Sequence, residues 1–232
     1  MEIFDLLIHL DEHLANLVNF FGPWTYLILF LIIFAETGLV VTPFLPGDSL
    51  LFVVGTLSGT GYLNIWVCYF TLLLAAILGD SVNYWVGQKM GPKVFANENS
   101  KIFKKAYLEK TREFYEKHGK KTIILARFAP IVRTFAPFVA GVGNMHYQTF
   151  LFYNIVGAFI WVTSLLFAGY FFGSLPWVQK NFEYIIYLII FISLIPMIIE
   201  YIQHKRGPKM SKEQVKHANY KEIEEAIKKA DS

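Results

Sequence analysis

The order of apolar and polar residues divides the chain into long hydrophobic segments and a few short polar ones. Residues 63–90 and 147–172 are each long and apolar enough to form a helix that crosses a bilayer, which takes about 20 residues. A third apolar segment, residues 184–202, meets the same condition. The pattern therefore predicts an all-α polytopic membrane protein with about three spanning helices.

Two further apolar segments are interrupted by residues that break helices. Residues 24–60 contain a proline- and glycine-rich stretch at positions 43–47, and the apolar run after this stretch is too short to span. Residues 122–142 contain two arginines and two prolines. Unwound backbone at membrane depth needs protein or a wet cavity around it. We therefore expect each segment to form a re-entrant helical hairpin.

The basic residues predict how these elements are oriented. Lys and Arg are absent before position 89 and cluster in residues 89–121 and 205–229. Both clusters are expected in the cytoplasm, where short loops are enriched in Lys and Arg. They fall on the same side only if residues 122–142 do not cross. The two hairpins then enter from opposite faces, as in inverted-repeat transporters.

A weak internal repeat agrees with this arrangement. Residues 42–47, with the sequence TPFLPG, resemble residues 136–141, with the sequence APFVAG. Each copy is followed by a long helix that ends in aromatic residues and glycine. The predicted fold is therefore two opposed re-entrant hairpins plus the spanning helices, similar to inverted-repeat transporters.

The remaining segments are polar enough to lie outside the hydrocarbon. In residues 1–21 apolar residues recur at helical spacing, and acidic residues and histidines lie between them. This pattern predicts an amphipathic helix at the membrane interface. Residues 93–121 predict a basic cytoplasmic surface helix, and residues 204–232 predict a charged cytoplasmic tail. Residues 22–203 would then form a single membrane domain.

Four charged residues lie within the predicted hairpins: Glu36 and Asp48 in the first, and Arg127 and Arg133 in the second. A charge at the bilayer centre costs roughly 2.5–3.5 kcal/mol on insertion scales, so such residues are usually paired and functional. Two guanidinium groups can hold a phosphate through forked hydrogen bonds, and a carboxyl group in a low-dielectric site binds protons more readily. The four residues predict a proton-coupled carrier of a phosphate-bearing substrate. The alternative is a set of structural ion pairs that lock the hairpins.

Residues that break helices are expected to support this site, because broken helices expose N–H groups and dipole ends that favour anions. The supporting residues of this kind are Pro46, Gly47, Pro130, Pro137 and Gly141.

The two long spans carry faces of small and polar residues. Asp80 and Tyr84 lie on such a face of the first span, and Asn154, Gly157 and Trp161 lie on one of the second. Faces of this composition usually indicate helix packing. Asp80 is the exception, because an ionisable residue within a span suggests function. Asp80, Tyr84 and Asn154 are therefore added to the supporting residues.

No metal site, cofactor or enzymatic activity is expected. Cys68 is the only cysteine, and His9 and His13, although spaced as a metal pair, have no evident third ligand. His118 and His146 flank the second hairpin and could exchange protons. An intramembrane phosphatase would need a nucleophile or general base such as His, and neither hairpin contains a histidine.

The sequence resembles the DedA family of membrane proteins, also described by the VTT domain, across nearly all of residues 20–203. The matching motifs, in order, are ETG at 36–38 with FLPGDS at 44–49, GD at 79–80 with YWVG at 84–87, RFAPIVR at 127–133 with PFVAG at 137–141, and NIVGA at 154–158 with Trp161.

This resemblance implies two opposed re-entrant hairpins and a role in membrane lipid handling. Family members are implicated in recycling undecaprenyl phosphate across the bacterial inner membrane and in moving phospholipids between leaflets, linked to the proton motive force. By motif, the family's important acidic residues fall on Glu36 and Asp48, and its important arginines fall on Arg127 and Arg133.

Together the residues and the resemblance predict a flippase of undecaprenyl or another polyprenyl phosphate in the bacterial inner (cytoplasmic) membrane. Its expected partners are the lipid substrate, protons and the membrane, without nucleic acid, and a homo-oligomer is compatible with the sequence. The alternatives are a glycerophospholipid flippase or scramblase, a proton–cation antiporter and a membrane scaffold. Two guanidinium groups disfavour a cation site.

Overall fold

The structure, a computed structural model, describes residues 20–39, 47–90, 105–181 and 220–231. All regular secondary structure in these ranges is helical, which confirms the all-α prediction. The predicted span 184–202, nearly all of the predicted N-terminal helix, and Pro46 lie outside the described residues.

The described ranges contain nine α-helices and one 3₁₀ turn. In chain order the helices are α1 (Trp24–Gly38), α2 (Gly47–Gly59), α3 (Ile65–Met90), α4 (Lys105–His118), α5 (Thr122–Ala126), α6 (Pro130–Val142), α7 (Tyr147–Gly173), α8 (Pro176–Lys180) and α9 (Tyr220–Asp231), with the 3₁₀ turn Gly119–Lys121 between α4 and α5.

Helices α3 and α7 are long and apolar enough to cross a membrane, as the sequence predicts. They contain 26 and 27 residues. The side chain of Asn64 caps the start of α3 by accepting hydrogen bonds from the backbone N–H groups of Trp66 and Val67. Large apolar side chains on both helices are exposed, including Phe70 and Phe152. Such exposure fits helices whose outer faces meet lipid.

Two helices lie within each predicted hairpin segment, α1 and α2 in the first and α5 and α6 in the second. Arg127–Ala129 break the helix between α5 and α6, and residues 40–46, which follow α1, lie outside the described residues. Helix α6 begins with Pro130, which suits a first turn because the N–H that proline lacks would have no helical partner there. Entry of these pairs into the membrane from opposite faces, and their inverted repeat, stay predictions.

The contacts within the chain divide it into two compact units. Unit one contains α2 and α8. It also contains α1 up to Ile32, α3 up to Leu74 and α7 from Val162 onward. Unit two contains α4, α5, α6, α9 and the remaining parts of α1, α3 and α7. The sequence predicts one membrane domain over residues 22–203. Within this range the long helices α3 and α7 are each divided between the two units.

Within unit one, α2 packs closely on α7 through glycines. A Cβ atom on Gly55 would overlap the carbonyl oxygen of Leu166, and a Cβ atom on Gly169 would overlap the carbonyl oxygen of Phe52. Small residues let helix backbones approach closely in membranes, where packing supplies most of the attraction. Glycine at these two positions is therefore required for the α2–α7 contact.

Within unit two, α6 packs on α3 by the same kind of contact. A Cβ atom on Gly141 would overlap the carbonyl oxygen of Tyr84, and a Cβ atom on Gly87 would overlap that of Phe138. The short helix in each unit contributes a Phe-Val-x-Gly sequence, residues 52–55 and residues 138–141. In these contacts Gly55 corresponds to Gly141. In the sequence repeat, which pairs residues 42–47 with 136–141, Gly47 corresponds to Gly141 instead.

The last helix of the predicted tail, α9, packs into the core of unit two. Its buried apolar residues Ile223, Ile227 and Ala230 join the same cluster as Leu108 of α4 and Phe138 of α6. The i, i+4, i+7 spacing of the three puts them on one helix face. The C-terminal part of the tail is therefore a docked helix.

The final residue of α9 links it to the start of α7. The carboxylate of Asp231 accepts a hydrogen bond from the backbone N–H of His146 at 2.9 Å and lies 2.6 Å from His146 Nδ1. Burial raises the pKa of Asp231, but the hydrogen bonds from His146 and Thr149 outweigh it, so the pKa lies below its ordinary value. A negative charge at a helix N-terminus is also favoured by the helix dipole.

Candidate functional site

Two buried ion pairs lie close together in unit two. Their residues come from the end of α1, the second half of α3, the α5–α6 break and helix α6. The pairs are Arg127 with Asp80 and Arg133 with Glu36. Three of the four charged residues predicted as the site are therefore in this cluster, together with Asp80.

The first pair is almost completely buried. The Arg127 guanidinium donates hydrogen bonds to Asp80 Oδ2 at 2.5 Å and to Asn154 Oδ1 at 2.6 Å. The side chains of Arg127 and Asp80 are only 3% and 6% exposed. Asn154 in turn donates from Nδ2 to the carbonyl oxygen of Ile77 at 3.1 Å, which aims its Oδ1 at the guanidinium. Arg127 is thus held by two partners in fixed positions.

A glycine on α7 makes room for the Arg127 side chain. A Cβ atom on Gly157 would lie 3.1 Å from Arg127 Nε and 3.2 Å from the Cα atom of Ile124. Either separation is tighter than ordinary van der Waals contact. Gly157 therefore helps to determine where the guanidinium sits.

The second pair is slightly more open. The Arg133 guanidinium lies 2.9 Å from Glu36 Oε1, and the two side chains are 12% and 7% exposed. Glu36 lies in the last turn of α1, where α1 approaches α3 so closely that a Cβ atom on Gly79 would overlap Thr37 Oγ1. The close approach places the Glu36 carboxylate within reach of α6.

Asn83 of α3 fixes both partners of the second pair through the backbone. Its Nδ2 atom donates to the carbonyl oxygen of Thr37 at 3.1 Å and to that of Thr134 at 2.9 Å. Thr37 directly follows Glu36, and Thr134 directly follows Arg133. Because Asn83 is fully buried, losing one of these hydrogen bonds would leave a polar group without water and would lower the free energy of unfolding. Asn83 therefore sets the distance between α1 and α6 at the ion pair.

The indole ring of Trp161 lies against both arginines. The Cζ atom of Arg133 is 4.3 Å from the ring centroid, and the Cζ atom of Arg127 is 5.7 Å from it. Trp161 is fully buried. A cation within about 6 Å of an aromatic ring face is attracted by the ring quadrupole, more strongly when both are desolvated. The ring is therefore a shared, uncharged partner of two positive groups.

With all four groups ionised, the two carboxylates and two guanidiniums balance in charge. Buried charges persist when they are paired and hydrogen-bonded, and removing one partner leaves an expensive isolated charge. An additional anion can be accommodated only if a carboxylate leaves its guanidinium or takes up a proton. The arrangement can thus exchange one anion for another.

Of the two acidic residues predicted in the first hairpin, Glu36 belongs to the unit that contains this cluster. Asp48 is exposed in the first turn of α2, and Gly47 is buried at its first position. Both belong to unit one, whereas Glu36 belongs to unit two. The proton-coupling role predicted for Asp48 stays a prediction.

Other predicted supporting residues hold the helices around the site. The Tyr84 hydroxyl donates to the carbonyl oxygen of Met145, and its ring stacks on Phe150 with centroids 4.6 Å apart. Gly141 packs on the α3 backbone, and Pro130 and Pro137 lie at the start of and within α6. These contacts concern helix packing.

The two histidines predicted as proton exchangers have other contacts. His118 Nδ1 lies 3.1 Å from the carbonyl oxygen of Phe114, and His146 pairs with Asp231. Among the residues described, no group of three His, Cys, Asp or Glu side chains could hold a metal ion. His9 and His13 lie outside those residues.

Sequence reasoning did not assign a site role to Asn83, Gly157 or Trp161. Gly157 and Trp161 share a face with Asn154, and this face was interpreted as a helix-packing surface. A signal that could have found them is the buried arginine itself, because a buried guanidinium needs an acceptor, space and a further partner. A helix face with an amide, a glycine and an aromatic residue offers all three. Asn83 comes three residues after Asp80 and so projects from the same side of α3.

Comparison with known proteins identifies related membrane proteins. The family model of the VTT domain matches residues 45–171. Protein DedA of Escherichia coli K12 is 58% identical over 207 residues, covering 88% of this chain and 94% of that protein. An uncharacterised membrane protein of Mycobacterium tuberculosis H37Rv is 47% identical over 173 residues, covering 74% of this chain and 76% of that protein.

A more distant relative is the inner membrane protein YqjA of Escherichia coli K12. It is 34% identical over 151 residues, which cover 65% of this chain and 69% of that protein. No solved structure matches the chain.

Proposed function

We propose that this chain, which belongs to the DedA family of VTT-domain membrane proteins, moves a lipid with a phosphate headgroup across the bacterial cytoplasmic membrane. Undecaprenyl phosphate is the proposed lipid. The chain is a membrane protein by its family and its two long apolar helices, and one relative is named an inner membrane protein. A multi-pass topology with a cytoplasmic tail is part of the proposal.

The observation that carries the proposal is the Arg133–Glu36 pair. The Arg133 guanidinium is mostly buried and lies 2.9 Å from the Glu36 carboxylate, with the face of Trp161 beside it. A phosphate headgroup offers the guanidinium a geometrically matched partner with more acceptor oxygens than a carboxylate. In the proposed cycle the headgroup replaces Glu36 as the partner of Arg133.

Arg127 has a different role in this proposal from the one predicted by sequence. Because Asp80 and Asn154 both hold its guanidinium at 2.5–2.6 Å, it stays in place when the headgroup binds. It then contributes a fixed positive charge beside the phosphate, and Arg133 makes the direct contact.

Charge balance supplies the proposed link to protons. When phosphate takes the place of Glu36, the released carboxylate would be an unpaired charge in a site of low polarity, so it takes up a proton. When the lipid leaves, the Glu36 carboxyl group loses that proton and pairs with Arg133 again. Glu36 would thus bind one proton for each headgroup bound.

The alternatives make different use of the same residues. A glycerophospholipid flippase or scramblase would use the same phosphate chemistry with a different tail and headgroup. A proton–cation antiporter would need carboxylates open to the cation, whereas Asp80 and Glu36 both contact guanidiniums. A membrane scaffold would use the ion pairs only to stabilise its fold and would not move lipid.

The test is movement of labelled undecaprenyl phosphate across proteoliposome membranes, with labelled phosphatidylglycerol as a second probe. Wild type is compared with Arg133→Ala and with Arg112→Ala, a control that removes an arginine from a partly exposed i,i+4 pair with Glu116 on α4. We expect movement in wild type and in the control, and a loss of at least tenfold per folded molecule in Arg133→Ala, a loss that persists when Glu36→Gln is added to remove the stranded carboxylate.

Each other outcome selects an alternative. Movement of phosphatidylglycerol alone supports the glycerophospholipid reading. Movement of neither probe in correctly folded wild type contradicts lipid transport. Equal movement in wild type and Arg133→Ala contradicts the assignment of Arg133 to the headgroup.

A further inference from the structure

Trp161 is an uncharged side chain whose ring lies against both guanidiniums of the site. Its ring cannot gain or lose a proton, in contrast to Glu36 and Asp80. Its position is fixed because the residue is fully buried and lies in the long helix α7, one turn beyond Gly157. The ring therefore stays beside Arg133 whatever the charge state of the carboxylates.

We propose that Trp161 is a positioning residue that retains the Arg133 guanidinium in the site while its anionic partner changes. This role rests on the proposed function, in which Arg133 passes from Glu36 to a phosphate headgroup. Between these two partners the guanidinium would be a desolvated cation without its directly paired carboxylate. The negative face of the indole, 4.3 Å from Arg133 Cζ, partly compensates that charge.

The geometry favours this role over simple packing. The ring centroid of the buried Trp161 lies 4.3 and 5.7 Å from the Cζ atoms of two cations, an arrangement that packing against apolar side chains alone would not require. The nearer cation belongs to the pair that is more open, and the farther one belongs to the pair held by Asp80 and Asn154. The ring is thus closest to the arginine whose partner is proposed to exchange.

Progressive fluorination of the indole tests the role, because fluorine weakens the negative ring face with little change in shape. Trp24, Trp66, Trp85 and Trp177 are replaced by Phe, and the remaining Trp161 is supplied as tryptophan, monofluorotryptophan or tetrafluorotryptophan. Affinity for undecaprenyl phosphate is measured in nanodiscs. We expect the affinity to fall with each step, by about threefold to tenfold for the tetrafluorinated ring.

The matched control carries Trp161→Phe and keeps Trp85 as its single tryptophan. Trp85 is partly exposed, and its ring packs beside Tyr147 with centroids 5.6 Å apart. Fluorination of this protein should leave the affinity unchanged. Trp161→Phe itself should retain part of the binding, and Trp161→Leu should lose more, since Leu has no ring face.

A second measurement separates this inference from the proposed function. In the Glu36→Gln background Arg133 lacks its carboxylate partner at 2.9 Å and the ring contributes a larger share of its stabilisation, so fluorination should lower the thermal unfolding midpoint more in this background than with Glu36 present. Equal shifts in the two backgrounds would overturn the role of Trp161 whether or not the lipid binds. Failure of the unfluorinated protein to bind lipid, with unequal shifts, would instead contradict the proposed function and leave Trp161 as the partner of Arg133.

Discussion

Removing the Arg127 guanidinium should destabilise the fold, because two buried side chains, Asp80 and Asn154, depend on it. In Arg127→Ala the Asp80 carboxylate, with a side chain only 6% exposed, loses its ionic partner, and Asn154 loses its donor. Breaking a buried ion pair by removing one partner costs about 3–5 kcal/mol. For a chain of this size each kcal/mol lowers the unfolding midpoint by about 2–4 °C. The expected decrease is therefore about 6–20 °C, measured by thermal unfolding in detergent micelles.

A double substitution tests the reasoning behind this magnitude. Asp80→Asn in the Arg127→Ala background removes the stranded charge, so the double variant should recover part of the lost stability. Arg112→Ala is the control for loss of an arginine from a partly exposed i,i+4 pair, and it should change stability by about 1 kcal/mol or less through that pair. A loss in Arg127→Ala no larger than in this control, or a double variant less stable than Arg127→Ala, would refute the assignment of Arg127 and Asp80 as a mutually dependent buried pair.

Three further predictions concern residues around the site and the docked tail. Gly157→Ala should destabilise the protein by about 1–3 kcal/mol in thermal unfolding, because the new Cβ atom crowds Arg127; an unchanged midpoint would contradict this. Asn83→Leu should lower the free energy of unfolding by about 1–3 kcal/mol, because the buried carbonyl oxygens of Thr37 and Thr134 each lose a hydrogen bond, and it should also slow lipid movement. A stable and active variant would contradict the role of Asn83 in setting the distance between α1 and α6. Because the pKa of Asp231 is lowered by docking, the carboxylate stabilises the docked helix α9 above its ordinary pKa of about 3.9 and progressively loses this effect as the pH falls through the lowered value. Hydrogen exchange of α9 at pH 7 and pH 3 should show this loss in wild type and not in Asp231→Asn, and equal protection at both pH values in wild type would count against it.

The long helices and the approximate location of the site follow from local sequence patterns. Helices α3 and α7 begin and end within two residues of the predicted spans 63–90 and 147–172, because long, mostly apolar runs that end near a glycine leave few alternatives. The charges within apolar segments indicated a site, because such residues are expensive without partners. Sequence reasoning also singled out Asp80 for the same reason, and the structure pairs it with Arg127.

The choice of partners within the site depends on contacts between distant segments. Glu36 and Asp48 both lie in the first predicted hairpin, and Glu36 pairs with Arg133 because glycine contacts bring the end of α1 against α3. The position of the Trp161 ring depends on the rotation of α7, which Gly157 and Asn154 fix against Arg127. Periodicity gives the face of a helix but not the element that faces it.

Docking of α9 was also outside the reach of local patterns. Its charged residues made the tail look like a solvated segment, and its apolar face consists largely of alanine and isoleucine over three turns. Short amphipathic helices gain most of their stability from the surface that they pack against. Here that surface includes Gly143, whose missing side chain leaves space for Ile227.

The central claim is that Glu36 releases Arg133 and takes up a proton when a phosphate headgroup binds. The most direct test is movement of labelled undecaprenyl phosphate in proteoliposomes, with and without a pH gradient, for wild type and Glu36→Gln. The account predicts gradient-dependent movement in wild type and movement independent of the gradient in Glu36→Gln, because the amide cannot titrate. The same dependence on the gradient in both proteins would contradict the account.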